Sequence, residues 1–577
     1  MAGNMTWVHR LMAVLAVMLV AACGGPVPSR APGQPAQEQP TGNSGARKVV
    51  TVAFAREATG IEVFGLGVTG RQNVMPLVHN LVVYEKDYQR WEPQLALDLP
   101  SVDKGTWRID PDGTMEMTWK FHPNIVWHDG TPFSTEDIVF AVNVRKDPEM
   151  AATSAVAQGA LELLDNVTAP DPLTLVTHWS ATYVDADRAR SIEPMPRHIL
   201  QPLYERDKRS VGNSAFWNSE FVGLGPYKVA NWVQGSHIDL ARHDAYFLGR
   251  PKLDGVIVKF IPDDNTLVAA ILAGAVDVAT EQSDLSIDGA RELERRWQGT
   301  RGNQVRYDAN GALGNLQLQY REDDARPRNG FTNRNVRQAL YQALDRTTLT
   351  QVLTDGISPV ADSWYHPNHP LRREVESAIP QFPYDPNRAQ QLLAQEGWVR
   401  GSDGVLVHQQ SGERFESEVW AQGSDLVQWA VAIIADWKTV GTQMTVNSVP
   451  AALAGGAGRE AQAKRPGPRV GAFSAETFTL YRAHSSTIPN ESNRWTGANE
   501  GAYNNPRVDA IIDRISRTTN PAQKIQVHRE LAQEMMGDVG LMPLWWSVTP
   551  VVMANGVKGV RVVTIGGTLS SFEWDKD

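Results

Sequence analysis

Motifs for nucleophilic catalysis, metal binding and phosphate binding are absent or weak in this sequence. Cys23 is the only cysteine in 577 residues. The chain contains no His-Glu-x-x-His zinc motif, no Gly-x-Ser-x-Gly nucleophile elbow and no Gly-x-x-x-x-Gly-Lys-Ser/Thr phosphate loop. His366 and His369 form the one close histidine pair, in a proline-rich loop where two exposed histidines are usually incidental. We therefore predict neither a catalytic centre nor a metal, and no cofactor.

Adjacent carboxylates are the remaining candidates for catalysis. Asp263-Asp264 and Glu136-Asp137 stand at the starts of predicted helices, where capping and the helix dipole account for them without catalysis. Glycosidase carboxylates carry no sequence motif of their own, however. A secreted hydrolase therefore stays open as the alternative outside the class of binding proteins.

The chemistry that Cys23 suggests is acylation. Positive charge at His9 and Arg10 precedes the apolar run 11–20, which has the length of the hydrophobic core region of a signal peptide and is too short to span a bilayer. The run ends in Val-Ala-Ala-Cys23, which resembles the lipobox of bacterial lipoproteins, and an ordinary secretory signal is the alternative. We predict a signal peptide at 1–22, and a lipidated Cys23 that opens a flexible tether at 23–47, rich in proline and glycine.

Composition limits the partners and the number of lobes. The formal net charge is −10 and no basic tract occurs, so nucleic acid is not an expected partner. The body after the tether is too long for one hydrophobic core, which predicts two or three lobes. A single cysteine excludes an internal disulfide. The 18 tryptophans would suit stacking on sugars or peptides, but packing explains most tryptophans in a large protein.

Hydrophobic patterns predict strands alternating with helices along the body of the chain. The run 49–55 indicates a buried strand, and apolar residues at 336, 339, 340, 343 and 344 form one helical stripe. Asp385-Pro386 and Asn505-Pro506 each predict a helix start with a capping side chain and a proline in the first turn. Asn265 is expected to cap a third helix. Interleaved strands and helices indicate an α/β protein.

Seven segments, in order along residues 80–560, resemble the family 5 extracellular solute-binding proteins, the dipeptide- and oligopeptide-binding lipoproteins of ABC importers. The segments are Trp119–Phe140 (WKFHPNIVWHDGTPFSTEDIVF), Gly223–Trp232 (GLGPYKVANW), Tyr246–Asp254, Leu272–Asp277, Asn335–Arg346, Tyr384–Trp398 and Tyr503–Asp509.

The resemblance implies a two-lobed, periplasmic-binding-protein-like (class II) α/β fold with an extra subdomain inserted in the first lobe. By analogy, lobe I comprises 48–72, 195–310 and 535–577. The inserted subdomain comprises 73–194, and lobe II comprises 311–534.

The same resemblance implies a function without catalysis. Such a protein captures a peptide-like solute between its lobes and delivers it to the ABC transporter permease. It is expected to be a monomer that a lipid anchors to the membrane outside the cytoplasm. Oligosaccharide or metal-chelate ligands are the alternatives within the family.

Ligand-contacting residues are inferred by position along the family pattern. Peptide-binding members carry an acidic residue that neutralises the peptide's ammonium, and here the matching stretch contains Ser474 and Glu476 but no aspartate. Glu476 either takes that role or is solvated, and the missing aspartate puts a peptide ligand in doubt. Further expected contacts are Trp364, Trp420, Gln422, Arg494 and Trp495, with Arg494 placed to pair a carboxylate and Trp495 to stack. Ordinary packing is the alternative for each.

Overall fold

The structure is a computed structural model that describes residues 47–58, 60–61, 71–87, 90–150, 160–188, 191–212, 214–450, 453, 458–474, 480, 482–561 and 567–577. The predicted signal peptide, Cys23 and most of the tether lie outside the described residues.

The strands, in chain order, are β1 (Val49–Phe54), β2 (Val83–Asp87), β3 (Arg90–Pro93), β4 (Trp107–Ile109), β5 (Met115–Lys120), β6 (Leu164–Asp171), β7 (Thr174–Trp179), β8 (Tyr227–Val233), β9 (His237–Arg242), β10 (Gly255–Phe260), β11 (Val278–Ala279), β12 (Gln304–Gln317), β13 (Trp398–Arg400), β14 (Leu406–His408), β15 (Glu416–Ala421), β16 (Gln443–Ser448), β17 (Arg469–Ser474), β18 (Met542–Met553), β19 (Val557–Lys558) and β20 (Asp575–Lys576).

The α-helices are α1 (Arg71–Val78), α2 (Glu136–Lys146), α3 (Arg197–Arg206), α4 (Lys208–Gly212), α5 (Asp264–Leu272), α6 (Ile287–Arg296), α7 (Arg328–Phe331), α8 (Arg334–Gln342), α9 (Arg346–Leu353), α10 (Arg372–Val375), α11 (Pro386–Gln395), α12 (Ser424–Thr439), α13 (Arg459–Ala463), α14 (Pro506–Ile515) and α15 (Pro521–Gly537). Among the helices in the described part of the chain, none combines the length and the apolar composition that crossing a membrane requires.

One mixed sheet of ten strands runs through the described residues, in the order β16-β15-β17-β12-β18-β11-β1-β10-β9-β8. β1 pairs in parallel with β10 and β11, and β15 pairs in parallel with β16. The long strands β12 and β18 pair antiparallel in the middle of this order. A second antiparallel sheet, ordered β4-β5-β7-β6, stands apart from the first.

Separate hydrophobic cores divide the molecule. One core gathers residues from the C-terminal half of β12 through the N-terminal half of β18, including Leu313, Trp437 and Trp546, and the body around it is called the second lobe below. Another core packs around β1, β9 and β10, with Phe54, Tyr227 and Trp574, and marks the first lobe. The four-stranded sheet has its own core, which includes Trp119 and Trp127.

Helix caps anchor these elements, mostly as predicted. The Asp385 side chain accepts a hydrogen bond from the amide of Arg388 at 2.8 Å, and the Asn505 side chain accepts one from the amide of Arg507 at 3.0 Å, which confirms both predicted caps. The prediction for Asn265 is wrong. Asp263 caps α5 instead, through a 2.8 Å bond from the amide of Thr266, because the helix begins one residue before Asn265.

Candidate ligand-binding cleft

The crossover strands β12 and β18 join the two lobes. Residues 304–309 of β12 pair with 548–553 of β18, and residues 313–316 pair with 542–546, with an irregular register between Ala309 and Leu313. Gly311 lies at this irregularity with a φ of +72°, a backbone conformation that glycine adopts at little cost. Each strand therefore contributes side chains to both lobes across a short irregular segment.

Contacts away from the crossover strands also bridge the lobes. The Arg291 guanidinium on α6 pairs with the Asp355 carboxylate beyond α9, with Nε and Oδ2 3.1 Å apart. The amide of Val184, in the segment after the four-stranded sheet, donates to the carbonyl of Ser516 in the second lobe at 3.3 Å. The two lobes are therefore in contact in this structure, as expected for a cleft that closes around a ligand.

A narrow, partly open cavity of about 30 Å³ lies in the second lobe, beside β12 and β17. Aromatic and aliphatic side chains form most of its wall, together with Arg482 and Glu500. Its lining includes Gln317, Leu318, Tyr320, Trp364, Phe473, Leu480, Arg482, Asn499, Glu500, Tyr503 and Met535. In this structure the cavity has room for roughly one or two water molecules, whereas ligand pockets usually measure about 300–1,000 Å³.

Arg482 is the charged donor of this cavity. Its guanidinium lies over the Phe473 ring, with 4.9 Å between the guanidinium carbon and the ring centroid. Burial lowers the pKa of Arg482, although the nearby Glu500 carboxylate raises it. The Glu500 carboxylate is itself held in an ion pair with Arg469. Sequence reasoning missed Arg482, because it stands just after the stretch that matches the family pattern and no motif marks it.

Trp364 is the predicted ligand residue that the structure brings to the cavity. It is 3% exposed and packs against Tyr365, with the ring centroids 5.1 Å apart. Within the described residues its indole Nε1 is buried without a hydrogen-bond acceptor. The backbone of Ser474 ends β17 and pairs with Ala312 at the crossover, but the Ser474 side chain and Glu476 lie outside what the structure describes.

The other predicted ligand residues lie apart from this cavity. Trp420, on β15, is half-buried, and its indole nitrogen donates to the Glu418 carboxylate at 2.8 Å. Gln422 is half-buried directly after that strand. Arg494 is exposed, whereas Trp495 is half-buried beneath the Lys464 ammonium, 4.9 Å from its ring centroid. Their contact with a ligand stays a prediction.

The histidine pair is buried, so the expectation of two exposed histidines is wrong. His366 and His369 are 4% and 6% exposed. The loop folds inward because the His366 ring packs edge-on against Trp546 at 4.7 Å and the His369 ring packs against Tyr365 at 5.3 Å. Burial lowers the pKa of each histidine to about 4. Over the part of the chain that the structure describes, no group of three or more His, Cys, Asp or Glu side chains could hold a metal ion.

Comparison with known proteins identifies the family. The family described as bacterial extracellular solute-binding proteins, family 5 Middle, matches residues 92–488. The oligopeptide-binding protein AppA of Bacillus subtilis is 26% identical over 326 residues, which are 56% of this chain and 56% of AppA. The chain thus matches little more than half the length of that relative.

Solved structures share the fold at low sequence identity. The NikZ protein of Campylobacter jejuni in complex with Ni(L-His) aligns with a TM-score of 0.72 and 21% identity, covering 92% of this chain and 99% of NikZ. The oligopeptide-binding protein of Thermus thermophilus, complexed with a pentapeptide, aligns with a TM-score of 0.71 and 21% identity, covering 92% and 96%. These alignments confirm the two-lobed α/β fold, and the family match shows that this chain belongs to the family 5 bacterial extracellular solute-binding proteins.

Proposed function

We propose that this protein is the substrate-binding subunit of an ABC importer, and that it encloses a peptide-like solute between its lobes and delivers it to the membrane permease. The observation that carries the proposal is the pair of crossover strands. Val551 and Leu544 of β18 belong to the cores of the first and second lobes respectively, so the lobes can rotate about the strands that join them. The name of AppA and the pentapeptide in the Thermus thermophilus structure support a peptide as the solute.

The division into lobes follows the family's plan. We assign 48–72, 195–310 and 535–577 to lobe I, 73–194 to its inserted subdomain and 311–534 to lobe II. The separate core of the four-stranded sheet supports the insertion, and the core from β12 to β18 supports lobe II. A ligand that contacts both lobes only in the closed form would shift the population toward the closed form.

The protein catalyses nothing in this proposal. ATP hydrolysis takes place on separate cytoplasmic subunits of the importer, and this chain acts as a monomer. The Cys23 thiol is acylated, and removal of residues 1–22 makes Cys23 the first residue of the mature protein. The lipid anchors the protein outside the cytoplasm at the cell membrane, and residues 23–47 form the lipidated tether. The extracellular character of the family supports this placement.

Uptake by cells tests the proposal. Deletion of the gene in its native cell should abolish uptake of a labelled short peptide, and the restored gene should return it. Uptake that is unchanged by the deletion, in a cell with no second importer for that peptide, would contradict the transport role.

A further inference from the structure

A segment between β7 and α3 contacts the second lobe. Residues 183–188, called the docking segment below, end in a short 3₁₀-helix at Ala186–Arg188. The amide of Val184 donates to the carbonyl of Ser516, which follows α14 in the second lobe, at 3.3 Å. Val184 and Ala186 are buried, so the docking segment is packed against its surroundings.

The four-stranded sheet is joined to the first lobe, because α2 packs into both of their cores. Phe140 of α2 belongs to the core of the first lobe, and Val142 belongs to the core of the sheet. The docking segment shares the core of the sheet through Ala186. Its contact with Ser516 therefore crosses the boundary that opens when the lobes separate.

Charged groups from both sides meet at this contact. On the docking segment, Arg188 pairs with Asp185, with Nη2 and Oδ1 2.9 Å apart. On the second lobe, the Lys524 ammonium of α15 lies close enough to Asp187 to act on its charge. Burial, and to a smaller extent both cations, lowers the pKa of two histidines of the second lobe, His369 and His528. The interface therefore combines two carboxylates and two cations with two imidazoles that are neutral above about pH 4.

Asp187 is the carboxylate of this interface whose surroundings change most in acidity. Burial raises the pKa of Asp187 to about 6. The Asp185 carboxylate adds to this rise, whereas the Arg188 and Lys524 cations oppose it. Separation of the lobes returns the Asp187 carboxylate to water, where its pKa falls toward the ordinary value of 3.8.

The direction of the pH effect follows from these two values. Between about pH 3.8 and 6 the closed form holds a proton at Asp187 that the open form releases. The protonated carboxyl therefore favours closure in acid, and this advantage is lost as the pH rises through about 6.

We propose that closure of the lobes is coupled to the uptake of one proton at Asp187 in the docking segment, so that acid favours the closed form. The contact between the docking segment and the second lobe carries this assignment, because opening exposes Asp187 to solvent. The coupling goes beyond the proposed transport role, since it acts on closure itself and holds for whichever solute drives closure. The protein thus binds its solute more tightly in a mildly acidic medium than in a neutral one.

Titration calorimetry on the purified full-length protein, with di- to penta-alanine at pH 7.5 and 5.0, tests the coupling. The unmodified protein should bind about threefold to tenfold more tightly at pH 5.0. Asp187→Asn resembles the protonated carboxyl, so it should bind more tightly than the unmodified protein at pH 7.5 and lose most of the pH dependence. A gain in affinity is a result that a misfolded variant does not give.

Asp165→Asn, at an exposed carboxylate of the four-stranded sheet, is the matched control and should bind as the unmodified protein does at both pH values. Weaker binding by Asp187→Asn at pH 7.5 would overturn the proposal. So would a ratio of the two dissociation constants, at pH 7.5 and 5.0, that agrees within twofold between Asp187→Asn and the unmodified protein.

A second measurement needs no solute. Small-angle X-ray scattering gives the radius of gyration, which falls as the lobes close. The radius should be smaller for the unmodified protein at pH 5.0, and for Asp187→Asn at pH 7.5, than for the unmodified protein at pH 7.5. Equal radii in these three samples would overturn the proposal. If no alanine peptide binds the unmodified protein, the peptide function fails while scattering still decides the coupling.

Discussion

The indole rings of Trp429 and Trp545 stack face to face, with centroids 3.7 Å apart and planes inclined by 10°. Trp429 lies on α12 and Trp545 lies on the crossover strand β18. The stack therefore packs a helix of the second lobe against the strand that connects this lobe to the first. On the sheet side, Gly314 of β12 pairs with Trp545. A Cβ at Gly314 would lie 2.1 Å from atoms of that indole.

Gly314→Ala should therefore destabilise the protein, by about 1–3 kcal/mol, because the added methyl group overpacks a filled site. Urea unfolding followed by tryptophan fluorescence measures this. Gly471→Ala, in the adjacent strand β17, is the control, since no atom lies within 4 Å of its Cβ position. That variant should be neutral or more stable by up to about 1 kcal/mol. Equal loss of stability in both variants would show that the indole is not the cause.

The ion pair between Arg291 and Asp355 predicts an effect on closure. The two side chains are 39% and 59% exposed, so the pair contributes about 0.2–1 kcal/mol. Asp355→Asn keeps a residue that tolerates the positive φ of 50° and should weaken ligand binding by up to about fivefold, less at high salt. Titration calorimetry measures the change.

A double-mutant cycle separates the pair from other effects. The double variant Asp355→Asn with Arg291→Met should lose no more affinity than either single variant, because the second change has no pair left to break. Arg295→Met, next along α6, removes an arginine that pairs within its own helix and should bind normally. Fully additive losses would contradict the bridge.

Buried histidines predict sensitivity to acid. The Nδ1 of His528 and the Tyr365 hydroxyl are hydrogen-bonded at 2.7 Å, and burial, aided by the nearby Lys524, lowers the pKa of His528 to about 3. The unfolded chain, with a histidine pKa near 6.5, binds a proton that the folded state refuses between about pH 6.5 and 3. Stability should therefore fall as the pH is lowered through that range, by up to about 1.4 kcal/mol per pH unit for this group.

His528→Gln should reduce that slope, since the glutamine amide can hydrogen-bond to the Tyr365 hydroxyl without titrating. Urea midpoints between pH 7 and 4.5 give the slope, which is the quantity to compare because the two proteins differ in stability at neutral pH. An unchanged slope in His528→Gln would mean that this residue is not the acid-sensitive group.

The lipid anchor is tested at Cys23. Cys23→Ser should abolish incorporation of labelled fatty acid and release the protein from the membrane fraction, because the serine hydroxyl does not take the place of the thiol in acylation. Cell fractionation with fatty-acid labelling measures both effects. Membrane association that persists in the variant would contradict the anchor.

Local signals in the sequence predicted much of the fold. The caps at Asp385 and Asn505 and the stripe from Val336 depend on residues within one or two turns of each other, so their spacing was sufficient. The wrong prediction at Asn265 shows that local sequence does not identify which of several adjacent residues caps a helix. Three candidate capping residues stand in a row at 263–265, and the fold uses the first because Asp264 bonds instead to the Ser286 amide at 2.9 Å.

The candidate site was less predictable because long-range packing creates it. Trp429 and Trp545 are far apart in sequence, and nothing in their local patterns indicates that they stack. The surroundings of Arg482 depend on the ion pair between Arg469 and Glu500, which joins β17 to a distant loop. Trp364 was predicted from its loop position and lines the cavity, while its contact with a ligand stays a prediction. His366 and His369 are buried because they contact Trp546 and Tyr365, and the spacing of residues in the sequence does not predict these contacts.

The measurement that tests the central claim most directly is thermal melting of the purified protein with panels of short peptides, oligosaccharides and nickel or haem chelates. A solute at a hundredfold over its dissociation constant should stabilise the protein by roughly 2.7 kcal/mol. The account predicts a higher melting temperature with short peptides and little change with sugars or chelates. A rise only with sugars or chelates, or turnover of a chromogenic glycoside without any rise, would contradict it.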